Sequence, residues 1–318
     1  MKNLILLEYF TSKSSVNVNK DKEIFREALN LTDSIIKNFI KSDRINCINV
    51  IRNKNLEIIK SNKVKAQHTN LKTSYTHILN RFKNKNEVLL IAPETKNLFL
   101  KLHSSIPKRF TVLNSNLNIL KTLSSKKKTI KTLEKLGFPV VKYLDSNSCY
   151  KGDVIIKPDF GAGSEQTFIV KNENYLKCQN QIHQKFYKGK KGSFLMLCKN
   201  GRGKVICCNE QIIKLDSKKI RQVGCIMGGL EKYRNEIESL ANNLCEKFKD
   251  LFGIVGVDIV REKKKWLILE INCRFTSAYC GLNKSYSSST IKEITNFYIT
   301  KNITDFTPKF IKEYEYIF

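Results

Sequence analysis

The side chains best suited to chemistry in this sequence are three oxygen donors in its C-terminal part. Asp258 lies in the apolar run 253–260, and Glu270 and Asn272 lie two residues apart at the end of a second run that starts at residue 265. Residues two apart on a strand share a face, and Asp258 can face them if the two runs pair as a hairpin. Hard oxygen donors suit Mg²⁺, with Mn²⁺ as the alternative, and substrate phosphates usually complete the coordination. The pattern therefore predicts a metal site.

Arg274 follows this set directly. Its guanidinium would serve a phosphate or a developing anion. The alternative is a surface hairpin whose carboxylates are simply solvated. We favour the metal site because an unpaired carboxylate inside an apolar run costs considerable free energy.

A second group of residues is typical of phosphate binding. Lys157 ends an apolar strand, and the small-residue loop that follows contains Gly161, Gly163 and Ser164. Backbone N–H groups of such a loop can approach phosphate oxygens closely, and the lysine adds a point charge. Lys126, at the start of a predicted helix, would be a second phosphate cation. An ordinary turn and a solvated lysine remain the alternatives.

The elements that must position these residues follow a mixed pattern. Residues 3–115 alternate strand and helix, which predicts a small parallel α/β unit. The predicted strands are 4–10, 45–51 and 88–93, and an amphipathic helix carries Ile24 to Ile40. A helix over 119–137 has Ser124 or Ser125 as its N-cap and Gly137 at its end.

Short strands with glycine turns dominate the remainder. They are predicted at 139–144, 153–157, 167–170, 193–198 and 204–208, with a hairpin turn at 200–203. A helix over 230–252 then precedes the final hairpin that carries the metal residues.

Composition limits the classes of function. The 318 residues carry a formal net charge of +28, but the lysines are scattered and have no interleaved aromatic platform. This distribution argues against nucleic acid as the partner and fits acidic or phosphorylated small molecules equally well. The ten cysteines lack paired CxxC spacing, and no apolar run reaches the length of a membrane span. We therefore expect a cytoplasmic protein with no membrane partner; its oligomeric state is left open.

Taken in order, these elements resemble the ATP-grasp superfamily of carboxylate–amine ligases. The matching pieces are Ser125-Lys126, Ile156-Lys157-Pro158 with 161–164, Gly256-Val-Asp258 and Leu269-Glu270-Ile-Asn272-Cys-Arg274. The resemblance spans about residues 115–300. It implies α/β and α+β architecture: an N-terminal α/β domain (1–115) and two ATP-grasp subdomains (116–185 and 186–318).

The resemblance also implies roles for the residues. Lys126 and Lys157 would bind the phosphates of ATP under the glycine loop, and the Asp, Glu and Asn would hold Mg²⁺. Arg274 would stabilise an acyl-phosphate intermediate. The implied reaction is ATP-dependent amide formation from a small-molecule carboxylate and amine, which releases ADP and phosphate.

A finer resemblance points to the archaeal-type ligases related to tyramine–glutamate ligase of methanofuran biosynthesis. It rests on Leu90-Ile-Ala-Pro93-Glu94-Thr95 and on the segment 272–282. It implies that the γ-carboxylate of glutamate is joined to an aromatic primary amine. Thr276, Ser277 and Gly281 are then candidate substrate contacts, although an ordinary Ser/Thr-Gly loop is the alternative.

The sequence departs from the superfamily at two positions. Cys273 replaces the usual proline between the metal Asn and the Arg. Lys190 and Lys191 stand where a carboxylate for the ribose is expected, which leaves backbone groups near Lys185 and Phe186 to read adenine. The alternative function is therefore an inactive nucleotide- or nucleic-acid-binding protein on the same scaffold.

Overall fold

The N-terminal part of the chain forms a parallel sheet. In a computed structural model, which describes residues 1–13, 22–70, 73–83, 86–144, 150–164, 166–171 and 181–318, this sheet has the strand order β3-β2-β1-β4-β5. Every pairing in it is parallel, as the alternating sequence pattern predicts. The strands are β1 (Lys2–Glu8), β2 (Ile45–Asn53), β3 (Val64–Thr69), β4 (Glu87–Ile91) and β5 (Thr111–Val112).

Helices cover this sheet and shorten its first strand. They are α1 (Tyr9–Ser12), α2 (Lys22–Phe39), α3 (Tyr75–Asn80) and α4 (Leu98–Ser105). The prediction that strand one reaches residue 10 is wrong at its end. The Glu8 carboxylate accepts the backbone N–H groups of Phe10 and Thr11, which caps α1 and ends β1.

The predicted helix over 119–137 is two helices, α5 (Leu117–Leu123) and α6 (Lys126–Lys135). Ser125 separates them with extended dihedrals, and its hydroxyl accepts the N–H of Lys128. The predicted N-cap is thus confirmed at Ser125 and also ends the previous helix. Gly137 follows α6 with φ of +80°, a conformation that suits glycine after a helix.

A nine-stranded antiparallel sheet forms the rest of the described core, in the order β13-β12-β9-β10-β11-β7-β6-β8 with β14 beside β11. Its strands are β6 (Asp153–Pro158), β7 (Phe168–Lys171), β8 (Gln181–Lys185), β9 (Lys191–Lys199), β10 (Arg202–Asp216), β11 (Lys219–Met227), β12 (Gly253–Glu262), β13 (Lys265–Asn272) and β14 (Tyr314–Ile317). The sequence analysis predicted the bounds of β6, β7, β9, β12 and β13 closely. For β10 it predicted only residues 204–208, which lie in the first half of the strand. The predicted strand 139–144 is wrong: Val140 and Tyr143 make isolated bridges only.

Three further helices complete the fold. The helix predicted at 230–252 is shorter, α7 (Arg234–Lys247), and a single 3₁₀ turn precedes it. The helices α8 (Ala278–Ser285) and α9 (Ser288–Thr300) follow the β12–β13 hairpin. Among the described helices, none is both long and apolar enough to cross a membrane.

Candidate active site

The final hairpin brings the three predicted metal residues together. In the register of β12 and β13, Asp258 lies opposite Glu270, and Gly256 lies opposite Asn272. Directly opposite residues of an antiparallel pair share a face. The Asn272 side-chain amide donates to Asp258 Oδ2 at 3.2 Å, which leaves the amide oxygen for another partner.

Both predicted phosphate lysines meet the same carboxylate. The Nζ atom of Lys126 lies 3.3 Å from Glu270 Oε2, and that of Lys157 lies 3.9 Å from it. Lys126 also donates to the Gly161 carbonyl at 2.6 Å, which ties the glycine loop to the start of α6. Two lysines from separate elements thus converge on the β12–β13 hairpin.

Asp159 fixes the relative position of these two elements. Its carboxylate accepts the Ser125 hydroxyl, with both oxygens at 2.9 Å, and the Lys127 N–H at 2.8 Å. The N–H of Lys126 donates to the Asp159 carbonyl at 3.1 Å. Asp159, the residue after β6, therefore anchors the first turn of α6. Its negative charge is also stabilised by the helix dipole at this N-terminus.

The charges of this group perturb one another. Burial alone would raise the pKa of Glu270, but the ammonium groups of Lys126 and Lys157 outweigh it and lower that pKa to about 2. Burial and the nearby Glu270 raise the pKa of Asp258. Burial lowers the pKa of Lys157 to about 8, against the opposing pull of Glu270. Paired, perturbed groups of this kind are typical of functional sites.

These residues fit a hard divalent cation that also binds phosphate. Two half-buried carboxylates facing each other repel, and a cation between them would relieve that repulsion. Within the described ranges, no three His, Cys, Asp or Glu side chains are placed to hold a metal ion together. The protein therefore offers two carboxylates and an amide, the incomplete oxygen set that leaves positions for waters and substrate phosphates.

A cleft of about 1350 Å³ opens in front of this group. It is lined by both lysines, by the glycine loop, and by residues from the ends of the N-terminal strands. Of the three candidate substrate contacts, Thr276 and Ser277 line the cleft. Gly281 instead lies inside α8, where a Cβ would come within 2.6 Å of Met227 Cγ. Its role is close packing against the large sheet.

Arg274 reaches the cleft while held by a partner from the N-terminal part of the chain, in the loop after β4. Its Nε and Nη2 atoms each donate to a separate oxygen of Glu94, both at 2.9 Å. The Glu94 side chain is 6% exposed and that of Arg274 is 15% exposed. Such a bidentate pair fixes the guanidinium plane. Nη1 also donates to the Phe275 carbonyl at 3.2 Å, which leaves the two remaining N–H groups for the cleft.

The hinge residues have contacts that the sequence does not reveal. The backbone N–H groups of Lys185 and Phe186 donate to the carbonyls of Lys142 and Asp153, so these two donors are committed within the protein. Lys191 donates to the carbonyls of Tyr187 and Gly189 at 2.6 and 2.8 Å.

The side-chain amide of Gln184 can replace the hinge backbone donors as the group that reads adenine. Lys190 pairs with Glu210, away from the cleft. Gln184 lines the cleft, and both of its side-chain amide atoms are buried without a partner among the described residues. A free amide offers one donor and one acceptor, which match the edge of adenine.

Several cleft residues escaped the sequence reasoning. Glu27 and Lys96 line the cleft from the N-terminal part, and Gln211 donates to Asp258 Oδ1 at 2.7 Å. No local motif marks them, because each becomes relevant only through long-range packing. Glu94 did lie in a segment used for the finer resemblance, and that is the one signal that could have found it.

The fold and the cleft define a class of protein. The model of the ATP-grasp domain family matches residues 123–278, and these residues contain every proposed metal and phosphate ligand. Residues 123–278 therefore match an ATP-grasp domain, and a parallel sheet precedes them, which confirms the predicted fold class.

The relatives of this chain are ligases or share their fold. It is 26% identical over 298 residues to the tyramine–L-glutamate ligase of Methanocaldococcus jannaschii, covering 87% of this chain and 85% of the relative. A protein of Archaeoglobus fulgidus assigned to the ATP-grasp superfamily superposes with a TM-score of 0.73 at 21% identity, covering 93% of this chain and 88% of that one. An L-amino acid ligase of Bacillus licheniformis superposes with a TM-score of 0.60 at 13% sequence identity, covering 94% of this chain and 76% of that one.

Proposed function

We propose that this protein is an ATP-dependent carboxylate–amine ligase that works through an acyl phosphate. The observation that carries the proposal is the convergence of Lys126 and Lys157 on Glu270, beside Asp258 and Asn272, at the wall of one large cleft. This arrangement supplies cations for nucleotide phosphates and oxygen ligands for a metal. The ligase relative and the ATP-grasp domain support the same activity.

Each group has a role in holding the nucleotide. Asp258, Glu270 and Asn272 would hold Mg²⁺, which when bound neutralises charge on the phosphates of ATP. Lys126 and Lys157 would bind the phosphate oxygens, with the loop from Gly161 to Ser164 over them. Gln184, whose side-chain amide is buried without a partner among the described residues, would read the adenine edge.

The chemistry follows from the poor leaving group of a carboxylate. Transfer of the γ-phosphoryl group to the carboxylate makes an acyl phosphate, whose phosphate leaves readily when an amine attacks. Lys126, Lys157 and Arg274 would stabilise the charge on the transferred group, so that catalysis is mainly positioning and electrostatics. Closure of the glycine loop would exclude water and protect the intermediate.

We further propose glutamate and tyramine, or a similar aromatic amine, as the substrate pair. The ligase relative carries these substrates in its name and covers most of this chain. The cleft supports a pair of this kind, because the N-terminal wall offers Lys96 and Lys101 for a carboxylate and Tyr9 and Phe10 for an aromatic body.

The test is phosphate release from MgATP by the purified protein with pools of carboxylates and amines, including glutamate with tyramine. We expect release that requires both an acid and an amine, together with an amide product detected by mass spectrometry. Release with an acid and amine other than this pair would keep the ligase and replace its substrates.

The second candidate is an inactive nucleotide-binding protein on this scaffold. It is favoured by Lys190 and Lys191, which replace the expected ribose carboxylate. Silence across broad pools with no ATP binding by calorimetry would contradict the ligase proposal. ATP binding without turnover would favour this second candidate.

ATP affinity is expected to fall as the pH rises above about 8. The pKa of Lys157 is lowered to about 8 by burial, so the empty cleft loses this positive charge above that pH. Binding of phosphates needs the charged form and must then take up a proton, which weakens affinity by up to about tenfold per pH unit. Calorimetric titrations of a non-hydrolysable ATP analogue between pH 7 and 9.5 measure this slope.

The matched control for this pH dependence is Lys157→Arg. An arginine stays charged throughout this range, so the variant is expected to lose the fall in affinity. An equal slope in the wild type and in Lys157→Arg would assign the pH dependence to another group.

A further inference from the structure

Glu27 is a carboxylate of the cleft that the phosphate and metal groups do not use. It lies on α2, and it lines the cleft together with Ile24, Ala28 and Leu31 of the same helix. Positions i, i+3, i+4 and i+7 share one helical face, so Glu27 stands within an apolar stripe. A charged group on such a stripe needs a reason, because burial of a carboxylate costs free energy.

A hydroxyl from the metal side of the cleft holds this carboxylate. The Ser277 Oγ donates to Glu27 Oε1 across the cleft, from a residue that follows Arg274 by three positions. Glu8 also lines the cleft, but its two oxygens accept backbone N–H groups of α1. Glu23, on the same helix, also lines the cleft, but it is exposed. Of the three described cleft carboxylates of the N-terminal wall, Glu27 is thus the half-buried one that a side chain anchors at one oxygen, whereas Glu8 is committed to the backbone.

The charges around Glu27 place it next to the reaction centre. Burial raises the pKa of Glu27, the Arg274 guanidinium opposes that shift, and the Glu8 carboxylate adds to it. Cys280 and Tyr316 are the other titratable neighbours, and both feel its charge. A carboxylate in this environment gains from a cationic partner, and it also accepts a proton more readily than an exposed one.

We propose that Glu27 is the ammonium-binding residue of the cleft: its carboxylate holds the primary ammonium group of a substrate, whose apolar body lies along the Ile24, Ala28 and Leu31 face of α2. This rests on the proposed ligase function and deepens it by naming a substrate class, a primary amine with an apolar or aromatic body. The ammonium belongs either to the acceptor amine or to the α-amino group of an amino-acid substrate.

For the acceptor amine, Glu27 has a chemical role as well. The ammonium transfers one proton to the Glu27 carboxylate, which leaves a neutral amine with a free electron pair. That pair forms the C–N bond to the acyl carbon, the bond from this carbon to the phosphate oxygen breaks, and phosphate leaves with those electrons. The second proton of the attacking nitrogen goes to the departing phosphate. General base catalysis of this kind contributes about 10²–10⁴-fold.

The experiment compares two acceptors in the Glu27→Gln variant. Hydroxylamine is mostly uncharged at neutral pH, so it traps an acyl phosphate as a hydroxamate without an ammonium site. We expect Glu27→Gln to keep hydroxamate formation within about threefold of the wild type and to lose amide formation with tyramine by about a hundredfold or more. The exposed Glu246→Gln on α7 makes the same change of net charge and should leave both rates unchanged.

The second arm identifies the source of the ammonium. If Glu27 binds the α-ammonium of the acid, Glu27→Gln raises the KM for glutamate in both reactions, and glutarate, which lacks that group, shows no difference between the variant and the wild type. If it binds the amine, the KM for glutamate in the hydroxamate reaction is unchanged. Ser277→Ala removes the hydroxyl that holds the Glu27 carboxylate but keeps the carboxylate itself. This variant should raise the KM of whichever substrate Glu27 binds, by a smaller factor than Glu27→Gln does.

Three results would overturn the inference. Unchanged amide formation in Glu27→Gln excludes the proposed role. Equal loss of amide and hydroxamate formation with every KM unchanged also excludes it, because such a loss indicates a structural effect. If Glu27→Gln does not fold, an unchanged KM in Ser277→Ala has the same meaning. A wild-type protein that makes neither product contradicts the ligase proposal itself and is thereby distinguished from failure at Glu27.

Discussion

Substitution of Asp258 by Asn, or of Glu270 by Gln, is expected to abolish Mg²⁺-dependent turnover. Each change removes one of the two carboxylates that face each other across the hairpin and would hold the metal. Loss of metal-assisted charge stabilisation is worth several kcal/mol, so the rate should fall by at least about a thousandfold. Phosphate release at saturating MgATP and substrates measures the loss.

Both variants should remain folded, because each replacement keeps the size of the side chain. Glu270→Gln nevertheless leaves Lys126 and Lys157 without their shared counter-charge, so we expect the larger fall in thermal midpoint there. The matched control is Glu262→Gln in β12, which removes a carboxylate of the same hairpin away from the metal residues. Full activity in both site variants would exclude the metal assignment.

Replacement of Arg274 by Met is expected to reduce both activity and stability. The guanidinium edge facing the cleft would be lost, and removal of one such charge-stabilising donor typically costs about 10²–10³ in kcat. The Glu94 carboxylate would remain buried without its bidentate partner, which costs about 3 kcal/mol of unfolding free energy. Steady-state kinetics and urea unfolding measure the two effects separately.

The double variant Arg274→Met/Glu94→Gln separates catalysis from folding. Removal of both charges of a buried pair is often nearly neutral, so its stability should return toward that of the wild type. Its kcat should stay low, since the guanidinium is still missing. Recovery of activity along with stability would show that Arg274 acts only as a structural partner of Glu94.

The core of the site was predictable because its signals are local. Asp258, Glu270 and Asn272 lie in one hairpin, and a two-residue period within apolar runs is enough to set them on one face. Lys157 likewise stands at the end of a short apolar strand before a glycine loop. Local spacing and the resemblance together predicted the fold class and the end of the cleft that is proposed to bind phosphates.

The remainder depends on contacts between distant parts of the chain. Glu94 meets Arg274 across 180 positions, and Ser277 meets Glu27 across 250, so local pattern carries no information about either pair. Ser125 was predicted as an N-cap, but the separate helix α5 ahead of it was missed, because the segments on both sides of Ser125 favour helix. The residues 139–144 look like a strand because they are apolar, yet they make only bridges, at Val140 and Tyr143.

The shared use of Glu270 by two lysines has a thermodynamic consequence. In the ligand-free cleft this carboxylate stands in for a phosphate group, and the lysines stand in for a metal ion. A nucleotide that binds alone would draw the two lysines to its phosphates, and the negative charges of Asp258 and Glu270 would then repel those phosphates. A metal alone would have to displace two ammonium groups. Under the proposed function, each ligand would therefore prepare the cleft for the other, and by reciprocity the gain would be the same whichever binds first.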